Sequence, residues 1–171
     1  IGLARFFSDP DWYPSESAYR LTPMIWGTIW ATAGSVLLAS PLGILSALFC
    51  HFYAPPPLSR WYRRMVELLA GIPSVVFGFW GLVVLVPIIG RLHPPGPSLL
   101  AGILILTLMI MPTIMLVAHA SIAHVPIAYI HSASALGFSR SSLICRVILP
   151  TTKVGLFTGI LLGLARALGE T

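Results

Sequence analysis

Charge is what this chain has least of. Asp, Glu, Lys and Arg make up 9% of its 171 residues, against about 25% in a soluble globular domain. Most side chains therefore have no water to face, and the chain reads as an integral membrane protein. Acidic residues are scarcest: five in all, three of them (Asp9, Asp11 and Glu16) within positions 1–22. The formal charge of +5 does not mark a nucleic-acid face, because the basic residues are few and sit between apolar runs, as in loops at a membrane surface. Cysteine is limited to Cys50 and Cys145, 95 positions apart. Each lies beside sequence assigned below to the cytoplasm, which argues against a disulfide. There is no nucleophile constellation, HExxH helix or phosphate-cradling Gly-Lys loop. The chain is thus expected to hydrolyse no ATP and to hold no cofactor. His119, His124 and His131 are spaced 5 and 7 apart. Those spacings do not place two ligands on one helical face, so no metal site is expected either.

What is present is a series of long apolar runs. No charge occurs between Arg20 and Arg60, a run of 39 residues, where about 20 suffice to span a bilayer. A first helix is expected over about 24–52, kinked at Pro41. Its small residues recur at every fourth position: Gly27, Ala31, Ser35, Ala39, Gly43 and Ala47. Such a stripe lets helix backbones approach closely where no hydrophobic effect drives association. Pro55, Pro56 and Pro57 predict a loop over 54–64. A second helix follows over 68–90, its first turns bent by Gly71 and Pro73. After the turn RLHPPGPS, a third helix is expected over about 99–119. A fourth, over about 152–168, repeats the small-residue register at Gly155, Gly159, Gly163 and Ala167. The expected fold is all-α: one polytopic transmembrane helix bundle over 1–171. Residues 1–22, with Trp12, Tyr13, Tyr19 and two prolines, read as an extracytoplasmic segment near the lipid headgroups. Residues 120–150 read as a cytoplasmic insert. If the 54–65 loop is cytoplasmic too, that side holds Arg60, Arg63, Arg64, Arg140, Arg146 and Lys153, and the other only Arg5, Arg20 and Arg91. The basic bias supports this orientation.

Three constellations carry chemistry. In the insert, Ala133 and Leu136 precede Gly137, a helix stop. Arg140 opens a second short helix with Leu143, Ile144 and Val147 on one face, and Pro150 closes it. Two short helices with one apolar face suit docking into a partner's groove; they equally suit a loop lying on the membrane. In the fourth helix, Arg166 lies 13 residues past Lys153, roughly 20 Å along the axis. A charge at that depth is costly unless it faces a polar path or a partner. Glu170, at i+4, is within pairing reach. The pair either lines a translocation path or only fixes helix packing or snorkels outward. The third constellation is Glu67 with Arg63 and Arg64 one turn before it, an interfacial pair or a gate contact.

The insert resembles the EAA loop of bacterial ABC importer permeases. Ala133, Gly137, Leu149 and Pro150 match that pattern, Val147 is conservative, and His131 and Ser132 depart from its Glu-Ala start. The resemblance implies that Ala133, Leu136, Gly137, Arg140, Val147, Leu149 and Pro150 dock a cytoplasmic ATPase dimer. Two further stretches, ELLAGIPSVVFGFWGLVVLVP (67–87) and GLARALGET (163–171), are similar to phosphate-importer permeases of the PstC type. By this fold-level analogy the bundle has about six membrane helices, four of them here, the chain being a piece cut at both ends. The resemblance further implies a PstA-type second permease, an extracytoplasmic phosphate-binding protein, ATP on the ATPase subunit, and a bacterial inner-membrane location. Arg166 and Glu170 would line the substrate path. A guanidinium suits a tetrahedral oxyanion, so sulfate or molybdate is the alternative cargo. A membrane scaffold is the rival that transports nothing, and it has no need of these two charges.

Overall fold

The computed structural model describes residues 22–92 and 97–171. The expectations for 1–21 and for the centre of the RLHPPGPS turn lie outside the described residues. Six helical elements follow in order: α1 (Thr22–Phe52), α2 (Pro56–Ala70), α3 (Ser74–Trp80 continued by Val86–Leu92), α4 (Leu99–Ala123), α5 (Ile127–Ala135) and α6 (Arg140–Glu170). Among the described residues there is no strand, and α1, α3, α4 and α6 are long and apolar enough to cross a membrane. The all-α polytopic bundle is therefore the observed architecture.

Helix α4 is the central one, packing against α1, α6 and α2. Both small-residue stripes face inward: Ala31, Ser35, Ala39, Gly43 and Ala47 of α1 are buried, as are Gly159, Gly163 and Ala167 of α6. They converge on Ile114 of α4, which is fully buried. A Cβ at Gly43 would stand 3.0 Å from Ile114 Cγ2 and 3.2 Å from the Met115 backbone nitrogen. A Cβ at Gly163 would stand 2.8 Å from Ile114 Cδ1. The two glycines, one from α1 and one from α6, pack against the same isoleucine, and in lipid such close contact is what holds helices together.

Proline placement corrects two boundaries. The expected loop over 54–64 is the start of α2, because Pro56 and Pro57 occupy its first turn, where a missing N–H costs nothing. Likewise Pro150 does not end a helix; α6 runs unbroken through it. The residues before it, Ile144–Ile148, form a π turn in which the Leu149 N–H bonds to the Ile144 carbonyl. Widening the helix there relieves the clash of the proline ring with the preceding turn. α3 uses the same device: a π turn over Gly81–Leu85, closed by the Val86 N–H on the Gly81 carbonyl, comes just before Pro87. Pro73 does break the chain, separating α2 from α3 after Gly71.

Helix α2 is too short to span, at about 22 Å for 15 residues. It divides into three faces. Val66, Ser59 and Tyr62 turn to the bundle, where Tyr62 bonds Ser46 and the Ser59 hydroxyl donates to the Cys50 carbonyl at 2.8 Å. Arg60, Arg63, Arg64 and Glu67 form a charged face, and Leu58, Trp61 and Leu68 an exposed apolar one.

Candidate functional site

Arg166 is half-buried on α6, and its Nη1 donates to Thr113 Oγ1 of α4 at 3.1 Å. A helical side chain leans toward the N-terminus of its own helix, so Arg166 reaches back and across rather than on toward Glu170. The expected Arg166–Glu170 pair is accordingly not made; among the described residues the ion pair within 4 Å is Arg63–Glu67. Glu170 is exposed on the last turn. Thr113 stands two positions from the middle of the 25-residue α4, about 3 Å along its axis. The contact therefore sets the Arg166 guanidinium beside the middle of a membrane-length helix. Thr113 is a site residue that sequence reasoning missed. Its only local signal is a hydroxyl in a nearly continuous apolar run.

The insert is helical on both sides of Gly137, as expected, but its second helix is the start of α6 rather than a short piece. α4 continues to Ala123, and α5 ends at a specific cap: the Gly137 N–H bonds the Ser134 carbonyl, the Phe138 N–H bonds the Ala133 carbonyl, and Gly137 has φ +77°. This is a Schellman motif, which explains the four-residue spacing of Ala133 and Gly137 as C3 and C′. Ala133 is buried and Phe138 packs with it in one apolar cluster. Ser139 then caps α6, accepting from the Ser142 N–H at 3.3 Å.

That geometry splits the seven expected docking residues. Leu136, at 76% exposure, stands out into solvent beside exposed Gly137 and Arg140. Val147 and Leu149 are half-buried, and Pro150 is exposed. The face expected on Leu143, Ile144 and Val147 is turned largely into the chain's own core, with Met115, Ala118 and Ile122. Its hydrophobicity is consumed within the bundle, so it is not free for a partner.

At the same end of the bundle, Arg63 Nε donates to Glu67 Oε1 at 2.8 Å, one turn apart and about half exposed. The pair borders a cavity of about 310 Å³ lined also by Leu116, His119, Ala120, Ala123 and His124 of α4. An adjoining cavity of about 130 Å³ lies among Arg60, Arg63, Arg64 and Glu67.

Four bilayer-length helices, two of them packed on α4 through small-residue seams, with a capped helix pair at the basic end, define a multi-pass permease-type membrane bundle. The chain belongs to the family described as "Binding-protein-dependent transport system inner membrane component", which it matches over residues 39–171. It is 40% identical to the "Probable ABC transporter permease protein YqgH" of Bacillus subtilis over 99% of this chain and 56% of that one. It is 36% identical to the "Phosphate transport system permease protein PstC" of Mesorhizobium japonicum, over 97% of this chain and 57% of that one. It thus spans a little over half the length of these relatives. The fold is shared with inward-facing structures of the MetNI methionine ABC transporter, at TM-score 0.77 and 20% identity over 94% of this chain and 74% of that one.

Proposed function

We propose that this chain is the transmembrane subunit of an ATP-driven importer of inorganic phosphate in a bacterial inner membrane. The observation that carries the reading is a guanidinium set beside the middle of membrane-length α4, held by a neutral hydroxyl, Thr113, and, among the described residues, by no carboxylate within 4 Å. A guanidinium so placed keeps its charge available for an oxyanion. The PstC name of several relatives supports phosphate as the cargo. Glu170, on the next turn, would accept a hydrogen bond from the hydroxyl that phosphate retains near neutral pH and sulfate lacks. ATP is bound and hydrolysed on a cytoplasmic ATPase dimer, not on this chain. The dimer docks on the α5–α6 element, where exposed Leu136 and Arg140 flank the Gly137 cap. A PstA-type permease completes the path, and an extracytoplasmic binding protein delivers phosphate. Arg166→Gln in the full-length complex is expected to abolish phosphate uptake while the complex still assembles. Normal uptake by that variant refutes the reading, and competition by sulfate but not arsenate would reassign the cargo.

A further inference from the structure

We propose that a second phosphate station lies at the basic end of the bundle, in the cavity where Arg63 and Glu67 of α2 face His124 of α4. This rests on the import reading above.

The first ground is alignment along one helix. Thr113, Leu116, Ala120 and His124 lie 3, 7 and 11 positions apart, which places them on one side of α4. Thr113 takes the Arg166 hydrogen bond, while Leu116, Ala120 and His124 line the 310 Å³ cavity. One stripe thus runs from the Arg166 guanidinium to the cavity, roughly 10–17 Å along the axis. Ala120 and His124 are exposed although α4 is a membrane-length helix, so nothing among the described residues covers the end of the stripe.

The second ground is chemistry. Both ends of the stripe carry Arg-x-x-x-Glu: Arg63 with Glu67, and Arg166 with Glu170. At the basic end the pair is closed at 2.8 Å, so the carboxylate occupies Arg63. Arg60 and Arg64 in the adjoining cavity leave three guanidiniums against one carboxylate. The His124 Nδ1 contacts the Ala120 carbonyl at 2.7 Å. A carbonyl only accepts, so Nδ1 carries the proton and Nε2 of the neutral ring is an acceptor. A monoprotonated phosphate therefore meets donors for its oxygens and acceptors, Glu67 and His124 Nε2, for its hydroxyl. The larger cavity has the volume of about ten waters, ample for the ion and part of its hydration shell.

The phosphoryl group could come from free phosphate or from a lipid headgroup, and the experiment separates them. The full-length complex, with Cys50→Ser, Cys145→Ser and Ala120→Cys, is reconstituted in vesicles with or without anionic lipid. Modification of the new thiol by a sulfonate-bearing methanethiosulfonate is then timed. Inorganic phosphate is expected to slow it about tenfold regardless of lipid, and Arg63→Gln to remove the protection and lower phosphate uptake about tenfold with the complex assembled. Protection that follows anionic lipid and ignores phosphate, or no protection at all, overturns the proposal. If Arg63→Gln transports normally while Arg166→Gln does not, the second station is wrong and the import reading stands. If the unaltered complex takes up no phosphate, both fall.

Discussion

Removing the Thr113 hydroxyl isolates the contact that holds Arg166. The bond joins residues 53 positions apart at 3.1 Å, and its donor is charged. Such bonds contribute about 1.5–3 kcal/mol. The surroundings supply no substitute: Ile110 and Ile114 on α4 are fully buried, and Gly163 and Ala167 beside Arg166 carry no polar side chain. With about 1.4 kcal/mol per decade, losing the bond should cost transport about 10- to 100-fold in efficiency. Thr113→Val keeps the branched shape and deletes the donor–acceptor oxygen; Thr113→Ser keeps the oxygen and deletes a methyl. The initial rate of labelled phosphate uptake into vesicles carrying the full-length complex is the assay, with complex yield reporting folding. Val should fall by that factor and Ser stay within about threefold of the parent. Full activity of Thr113→Val, or equal damage from Val and Ser, refutes the positioning role.

Two further perturbations test the scaffold and the docking element. Ile114→Ala should destabilise by about 2–5 kcal/mol and Gly163→Ala by about 1–3 kcal/mol, yet together by at least about 1 kcal/mol less than the sum, since the new methyl enters the space the isoleucine leaves. Thermal unfolding of the full-length protein in detergent measures this, and strict additivity refutes the clamp. At Gly137, where φ is +77°, Asn should be tolerated and Val should strain the cap by about 1–3 kcal/mol. Co-purification of the ATPase subunit should fall in that order and be lost in Leu136→Asp, which alters a side chain 76% exposed. Undiminished co-purification in Leu136→Asp would remove Leu136 from the docking surface.

How legible each feature was depended on whether its cause was local. The two small-residue stripes could be read because helical period alone places them on a face. Even there the reading fades at one end: Gly27 is exposed with nothing within 4 Å of a Cβ. A four-residue repeat drifts about 40° per step, and the stripe has wound off its neighbour by then. The prolines misled where the neighbourhood adapts. Pro56 and Pro57 begin a helix, and Pro150 follows a π turn. A rule written for an ideal helix interior cannot foresee either. The cap at Gly137 was readable as a stop but not as a Schellman motif. The partner of Arg166 was not readable at all, because i+4 proximity to Glu170 is visible in the sequence and the approach of α4 is not.

On the import reading, the continuity of α6 changes what the α5–α6 element can do. Had Pro150 ended a helix, a push at Gly137 would be absorbed at a joint before reaching the bilayer. Instead Arg140 and Arg166 are on one helix, 26 residues apart, about 39 Å. At 31 residues, or about 46 Å, that helix exceeds the roughly 30 Å hydrocarbon core, so its capped, arginine-bearing start stands clear of it. A displacement there is carried along the helix to the guanidinium, with the π turn at Ile144–Ile148 as the one irregular stretch between them. The stripe on which α6 must slide is Gly159, Gly163 and Ala167, where the absence of bulky side chains leaves little to unlock. Ile114 is the α4 side chain that packs on both stripes, against Gly163 of α6 and Gly43 of α1. On the import reading, motion of α6 against α4 must therefore pass through that contact. The same motion shifts Arg166 relative to Thr113, so freeing the guanidinium and moving the lever are one event.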